Sequence, residues 1–218
     1  MAHTTLRSAL LLGFFTVATV APADSLTVSG ATPGKFENVQ IAYFGDAFSV
    51  SSGPQSANYG GRSFEGYCVD LDHYQAVNLP FDATTKDAST FLPNGDRIAK
   101  LVNQYADTVT SADRGAALQL AIWDVLVDGG DGVDRGNFQA SGFSNSAKSF
   151  FDTYLASNLS GVSNVATVYK PTDYVHVNGV DYGQALIGGG TQAVPEPASL
   201  VALGIGGLAL LRRRRRRA

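Results

Sequence analysis

The mature part of this 218-residue chain is expected to be an α+β domain, with β-strands flanking an inserted three-helix segment. A signal helix should precede it and a short membrane helix should follow. Three observations predict this. Runs of β-branched and aromatic residues occupy both ends of the mature segment. Apolar residues recur at helical spacing between positions 95 and 159. Each chain end carries an apolar run beside basic residues.

Taken in order, residues 25–29 form an expected edge strand. Residues 38–52 carry Val39, Ile41, Tyr43, Phe48 and Val50, with Gly45-Asp46 as a turn. Residues 53–61, rich in Gly, Ser, Pro and Asn, read as a loop. Residues 63–71 read as a buried strand holding Phe64, Tyr67, Cys68 and Val69. The helices follow. Residues 95–107 place Ile98, Leu101, Val102 and Tyr105 on one stripe, and a second helix runs from Ser111 or Ala112 to position 127, with Asp113 in its first turn. Residues 128–136 stop it, and residues 145–159 form a third helix with Phe150, Phe151, Tyr154 and Leu155. Strands return at 165–170 and 173–177. Asn178-Gly179 marks a type I′ hairpin into Val180, Asp181 and Tyr182. A last strand reaches Ile187, and residues 188–193 read as a linker.

The two ends leave the fold argument. Arg7 precedes an apolar run at 8–20, and Ala21-Pro22-Ala23 fits a small-x-small cleavage site, so residues 1–23 read as a secretory signal peptide. At the other end, Val194-Pro195-Glu196-Pro197 is followed by an apolar run at 198–211 and six arginines at 212–217. Fourteen helical residues span ~21 Å against a hydrocarbon core of ~30 Å, a poor permanent anchor on their own. The arginines hold that end on the cytoplasmic side. An ordinary single-span anchor is the plain alternative. The three-part tail, residues 194–218, resembles the PEP-CTERM sorting signal of Gram-negative bacteria that make extracellular polysaccharide. The resemblance implies transient residence in the inner membrane, cleavage near the motif by an exosortase, and delivery to the cell surface or extracellular matrix.

Seven of the sixteen basic residues lie in the two ends, Arg7 and the six tail arginines. Residues 24–197 keep nine against all nineteen acids, a net charge of −10. Such a domain should not seek nucleic acid or anionic lipid. It holds one cysteine, Cys68, which cannot form an internal disulfide. A lone thiol outside the reducing cytoplasm calls for an explanation.

Gln119 lies three, four and seven residues before Ile122, Trp123 and Leu126, so it shares a helical stripe with large apolar groups. A core-facing amide needs partners. Either it is hydrogen-bonded in place or it has been consumed. Tyr67-Cys68-Val69-Asp70 and the segment 118–123, Leu-Gln-Leu-Ala-Ile-Trp, resemble the two motifs of bacterial thioester domains. The resemblance covers residues 64–170 and implies a bond between the Cys68 sulfur and the Gln119 side-chain carbonyl. It also implies single-turnover covalent attachment, as in surface adhesins. The domain would then be no enzyme and need no cofactor. Tyr67, Ile122 and Trp123 would wall off water. The target would carry an amine or a hydroxyl. A non-reactive matrix protein with a quiet core cysteine is the alternative.

Two further constellations stand beside it. Cys68 with His73 or His176 as base would make a cysteine hydrolase, although no local signature of one is present. Asp128, Asp131 and Asp134, spaced by glycines, form a calcium-loop candidate without the spacing or closing glutamate of an EF-hand. A solvated acidic turn after the helix is the preferred reading of that segment.

Overall fold

The computed structural model describes residues 24–189. The signal peptide, most of the linker, the Pro-Glu-Pro motif and the apolar run at 198–211 lie outside the described residues. Among the described residues no helix is long and apolar enough to cross a membrane.

The described chain begins with β1 (Asp24–Ala31), β2 (Glu37–Tyr43), β3 (Asp46–Ser52), β4 (Gln55–Tyr59), β5 (Arg62–Cys68) and β6 (Pro80–Asp87). Helices α1 (Ala88–Phe91), α2 (Gly95–Tyr105) and α3 (Ala112–Asp128) follow, then β7 (Phe138–Ser141) and α4 (Asn145–Leu155). The chain closes with β8 (Ala166–Pro171), β9 (Val175–Val177), β10 (Val180–Tyr182) and β11 (Leu186–Gly189).

This corrects the α+β expectation. The architecture is mostly β: six strands close into an antiparallel barrel in the order β1-β4-β5-β11-β8-β6, with β6 pairing back onto β1. A three-stranded sheet, β3-β2-β7, and the β9-β10 ribbon complete it. The helices do not form a separate inserted layer. The α3 helix packs on β5 of the barrel and on β2, β3 and β7 of the small sheet.

The corrections have local causes. β1 is no edge strand, because β4 and β6 flank it on both sides. β4 lies inside the stretch read as a loop. Its residues Gln55 and Ala57 point inward while polar residues alternate with them, so composition masked a two-residue period. β6 begins at Pro80, where a missing N–H costs little, and its threonine-rich body shows no apolar run. β7 has only four residues and pairs with β2 through tertiary contact alone. β11 continues to Gly189, two residues into the expected linker.

Other elements follow their local chemistry. The β2–β3, β4–β5 and β9–β10 hairpins each turn on two residues, Phe44-Gly45, Gly60-Gly61 and Asn178-Gly179, all with positive φ. That is the type I′ condition. The α3 helix is capped by the Ser111 side chain, which accepts from the Arg114 N–H. It ends at Gly129 (φ 73°), where Gly129 N–H reaches Val125 O at 3.1 Å and Gly130 N–H reaches Asp124 O at 3.2 Å. Every residue from Gly115 to Val125 is buried, as expected of a helix enclosed on all sides. Its entry is tight: a Cβ on Gly115 would lie 1.8 Å from the Lys35 carbonyl oxygen. The core runs continuously from the barrel (Leu26, Val28, Phe64, Val168, Leu186) through α3 to Val39, Ile41 and Phe138.

Candidate functional site

The site arises because β5 outruns its neighbour. Pairing between β4 and β5 ends at Gln55↔Gly66, two residues before Cys68. On its other side β5 pairs with β11 through Leu186↔Cys68. The backbone N–H and C=O of Cys68 are therefore left without a strand partner on the β4 side. Gln119, from the middle of α3, takes that place. Its Oε1 accepts from the Cys68 N–H at 2.9 Å, and its Nε2 donates to the Cys68 carbonyl at 2.9 Å. A primary amide presents the same donor and acceptor as a peptide group, so both residues are satisfied in the core. Both are buried, Gln119 completely.

The Cys68 thiol donates to the Asp70 carbonyl at 3.0 Å, and its sulfur accepts from the Asp70 N–H at 3.4 Å. Burial pushes the thiol up to about 12. The Asp70 backbone and the Trp123 indole N–H pull the other way. That indole N–H lies close enough to favour the thiolate, although it makes no well-formed hydrogen bond to any group.

The loop after β5 is a rigid knot. Asp70 Oδ1 accepts from the N–H groups of Asp72 (3.1 Å) and His73 (3.2 Å). Both Asp70 carboxylate oxygens stand 2.9 Å from His73 Nδ1. The imidazole stacks on Tyr174, with ring centroids 3.9 Å apart and planes 3° from parallel. Gln184 Nε2 donates to the Asp70 carbonyl (2.9 Å) and the His73 carbonyl (3.0 Å). Burial and the hydrogen-bonded Asp72 carboxylate raise the Tyr43 phenol. A cavity of about 730 Å³ opens beside this knot, and its wall includes Cys68, Trp123, Asp72, His73, Gln75 and Tyr43.

Of the residues singled out from sequence, Cys68, Gln119 and Trp123 come together here. Ile122 is fully buried in α3. Tyr67 precedes Cys68 on the strand and so points to the opposite face, where it borders a second cavity of about 510 Å³. His73 joins the Cys68 cavity. His176 sits in the exposed β9–β10 ribbon, paired with Asp181 at 2.6 Å. Asp70 closes the Tyr67–Asp70 motif but its hold on His73 carried no signal there, and Gln184 carried no pattern in the sequence at all. Gln184 is 114 residues from Asp70 and only the closure of the barrel brings them together.

The acidic loop is reassembled as well. Asp128 and Asp131 approach one another, but their third partner is Asp124 from within α3 and not Asp134; their carboxylate oxygens lie within 4.8 Å. Asp124 is fully buried, and burial, with Asp131 and Asp128 nearby, raises its carboxyl to about 6. It accepts from the Gly132 N–H at 3.1 Å. Asp128 accepts from the N–H groups of Asn137 (3.1 Å) and Phe138 (2.7 Å). Three carboxylates at this range suit a hard cation. Two of them already serve as clamps on the loop backbone.

Comparison with known proteins speaks to the tail. A family model described as the PEP-CTERM protein-sorting motif matches residues 193–216. The chain carries an exosortase sorting signal. It is therefore an exported protein, processed by exosortase and sorted to the cell envelope or surface. No curated protein and no solved structure matches. The thioester-domain resemblance finds no counterpart among these comparisons and rests on the two short motifs around Cys68 and Gln119 alone.

Proposed function

We propose that this exported protein is a covalent attachment module whose Cys68 and Gln119 join in an internal thioester. One observation carries the proposal: the Gln119 carboxamide, a reactive acyl group once attacked, is held by both ends on the residue that bears the only thiol. The Cys68 N–H is already on Oε1, where it would stabilise the oxyanion formed as sulfur adds to Cδ. The C–S bond forms, the C–N bond breaks, and the thiol proton leaves with the amide nitrogen as ammonia. A hydroxyl or amine on a surface or matrix target then attacks the same carbon and frees Cys68 as the thiol. Each molecule reacts once, so the protein is not an enzyme. Burial supplies the effective concentration and the dryness that the thioester requires.

A second reading has its own support. Gln119 fills an unpaired strand edge, and burial keeps the thiol protonated at neutral pH. On that reading the pair is a structural clasp in a non-reactive matrix protein.

Intact mass separates the two. A purified chain lighter by one ammonia than its sequence, with the deficit gone in Cys68→Ala, supports attachment. A full-mass chain whose Cys68 remains a free thiol supports the clasp and removes the thioester.

A further inference from the structure

The cavity beside Cys68 carries more polar equipment than a dry wall needs. With Nδ1 of His73 held by both oxygens of Asp70, the ring proton belongs on Nδ1 and the lone pair on Nε2. Among the described residues Nε2 has no hydrogen-bond partner. Tyr174 fixes one ring face, and Gln184 fixes the backbone at both Asp70 and His73. The imidazole is thus held on the wall that Cys68 also lines. Around it stand Asp70, Asp72, Tyr43, Tyr174 and Cys68, with no lysine or arginine in the cavity wall.

Two further atoms on this wall are buried without partners: the Trp123 indole N–H, in a residue only 3% exposed, and Gln75 Oε1. One is a donor and the other an acceptor. An ammonium group brings donors only, whereas a polyhydroxylated molecule both donates and accepts. Tyr74, an exposed ring, lines the cavity, and two more exposed rings rest on lining residues, Tyr174 on His73 and Phe44 edge-on to Tyr43. A few convergent polar groups beneath aromatic surfaces make a small-molecule site.

We infer that the group captured here is a hydroxyl of a carbohydrate-class target, and that His73 is the general base that deprotonates it. The inference rests on the thioester proposed above. In the step, the hydroxyl proton passes to His73 Nε2 as the oxygen bonds to the Gln119 acyl carbon. The C–S bond breaks, and His73 returns the proton to give the Cys68 thiol and an ester.

The test uses the full-length chain in detergent with three probes: glycerol, maltotriose and hydroxylamine. Hydroxylamine is a strong neutral nucleophile and needs no base. Ester adducts of glycerol and maltotriose are expected by intact mass. His73→Gln should slow both by about 100-fold or more while leaving the hydroxylamine reaction unchanged. The variant must itself be lighter by one ammonia, which certifies that its site has assembled. Should it not assemble, the unaltered protein supplies the measurement: D2O should slow transfer to maltotriose and not to hydroxylamine. A chain lighter by one ammonia that reacts only with amines, or whose His73→Gln variant loses or keeps all three reactions alike, overturns this inference and leaves attachment standing. Equal rates in H2O and D2O for maltotriose do the same. A full-mass chain overturns both.

Discussion

Gln119 and Asp124 stand five residues apart on α3, and both are fully buried. Their fates differ. The neutral amide of Gln119 meets one donor and one acceptor on Cys68 and completes a strand edge. The carboxyl of Asp124 meets the Gly132 N–H, lies near Asp128 and Asp131, and is held at a raised pKa. A buried polar group is stabilising when its partners complement it in both senses, and costly when it must carry charge among like charges.

The largest expected effect breaks the first member of the pair. Gln119→Leu leaves the Cys68 N–H and C=O unpaired in the core, at ~1–3 kcal/mol for each group. A loss of about 2–5 kcal/mol should appear in urea unfolding, with the slope unchanged. A loss below about 1 kcal/mol would mean that Gln119 is not holding the strand edge.

Next comes the placement of the helix that carries both residues. Gly115→Ala puts a methyl 1.8 Å from the Lys35 carbonyl oxygen, so helix or loop must move. A destabilisation of about 1–3 kcal/mol is expected from such overpacking. A neutral result would show that α3 shifts freely and that the Cys68–Gln119 contact does not depend on its position.

The pH dependence sharpens the second member. The folded state binds the Asp124 proton more tightly than the unfolded chain does, because the carboxyl is raised from 3.8 to about 6. Its contribution to stability is therefore lost as pH rises from about 4 to about 6, and stays lost above that. Asp124→Asn keeps an acceptor for Gly132 and removes the titration. Over that window the variant should lose a fall on the order of 1–3 kcal/mol seen in the parent. Parallel pH–stability curves for the two proteins would refute the assignment.

The smallest effect belongs to an exposed pair. His176→Ala removes the side-chain contact with Asp181 on the solvated β9–β10 ribbon. Pairs of this kind contribute little, and thermal unfolding should not shift measurably. A clear shift would show that the ribbon is held by more than its own hairpin.

Much of the local structure was legible before any fold was known. The stripe of Ile98, Leu101 and Val102 marked α2, Ser111 and Gly129 bracket α3, and Asn178-Gly179 marked the last hairpin. The motif that placed Cys68 near Gln119 rested on a resemblance, and the contact the fold makes between them runs through the Cys68 backbone N–H and C=O. Asp124 stayed hidden because one acid inside an apolar helix has no spacing to betray it. Gln184 stayed hidden because it is an ordinary polar residue, and its contact with Asp70 depends on barrel closure.

By itself the sequence determined the sorting tail, the acidic balance of residues 24–197, the helices with clear 3.6-residue periods and the Asn178-Gly179 hairpin turn. Those are properties of composition, of short motifs and of the nearest few residues. Only the tertiary structure decided that β1, β4, β5, β6, β8 and β11 close into one barrel. Strand partners are chosen by distant segments, and a four- to eight-residue strand carries too little pattern to name its own. The same closure left Cys68 beyond the end of β4, and so gave the edge that Gln119 fills.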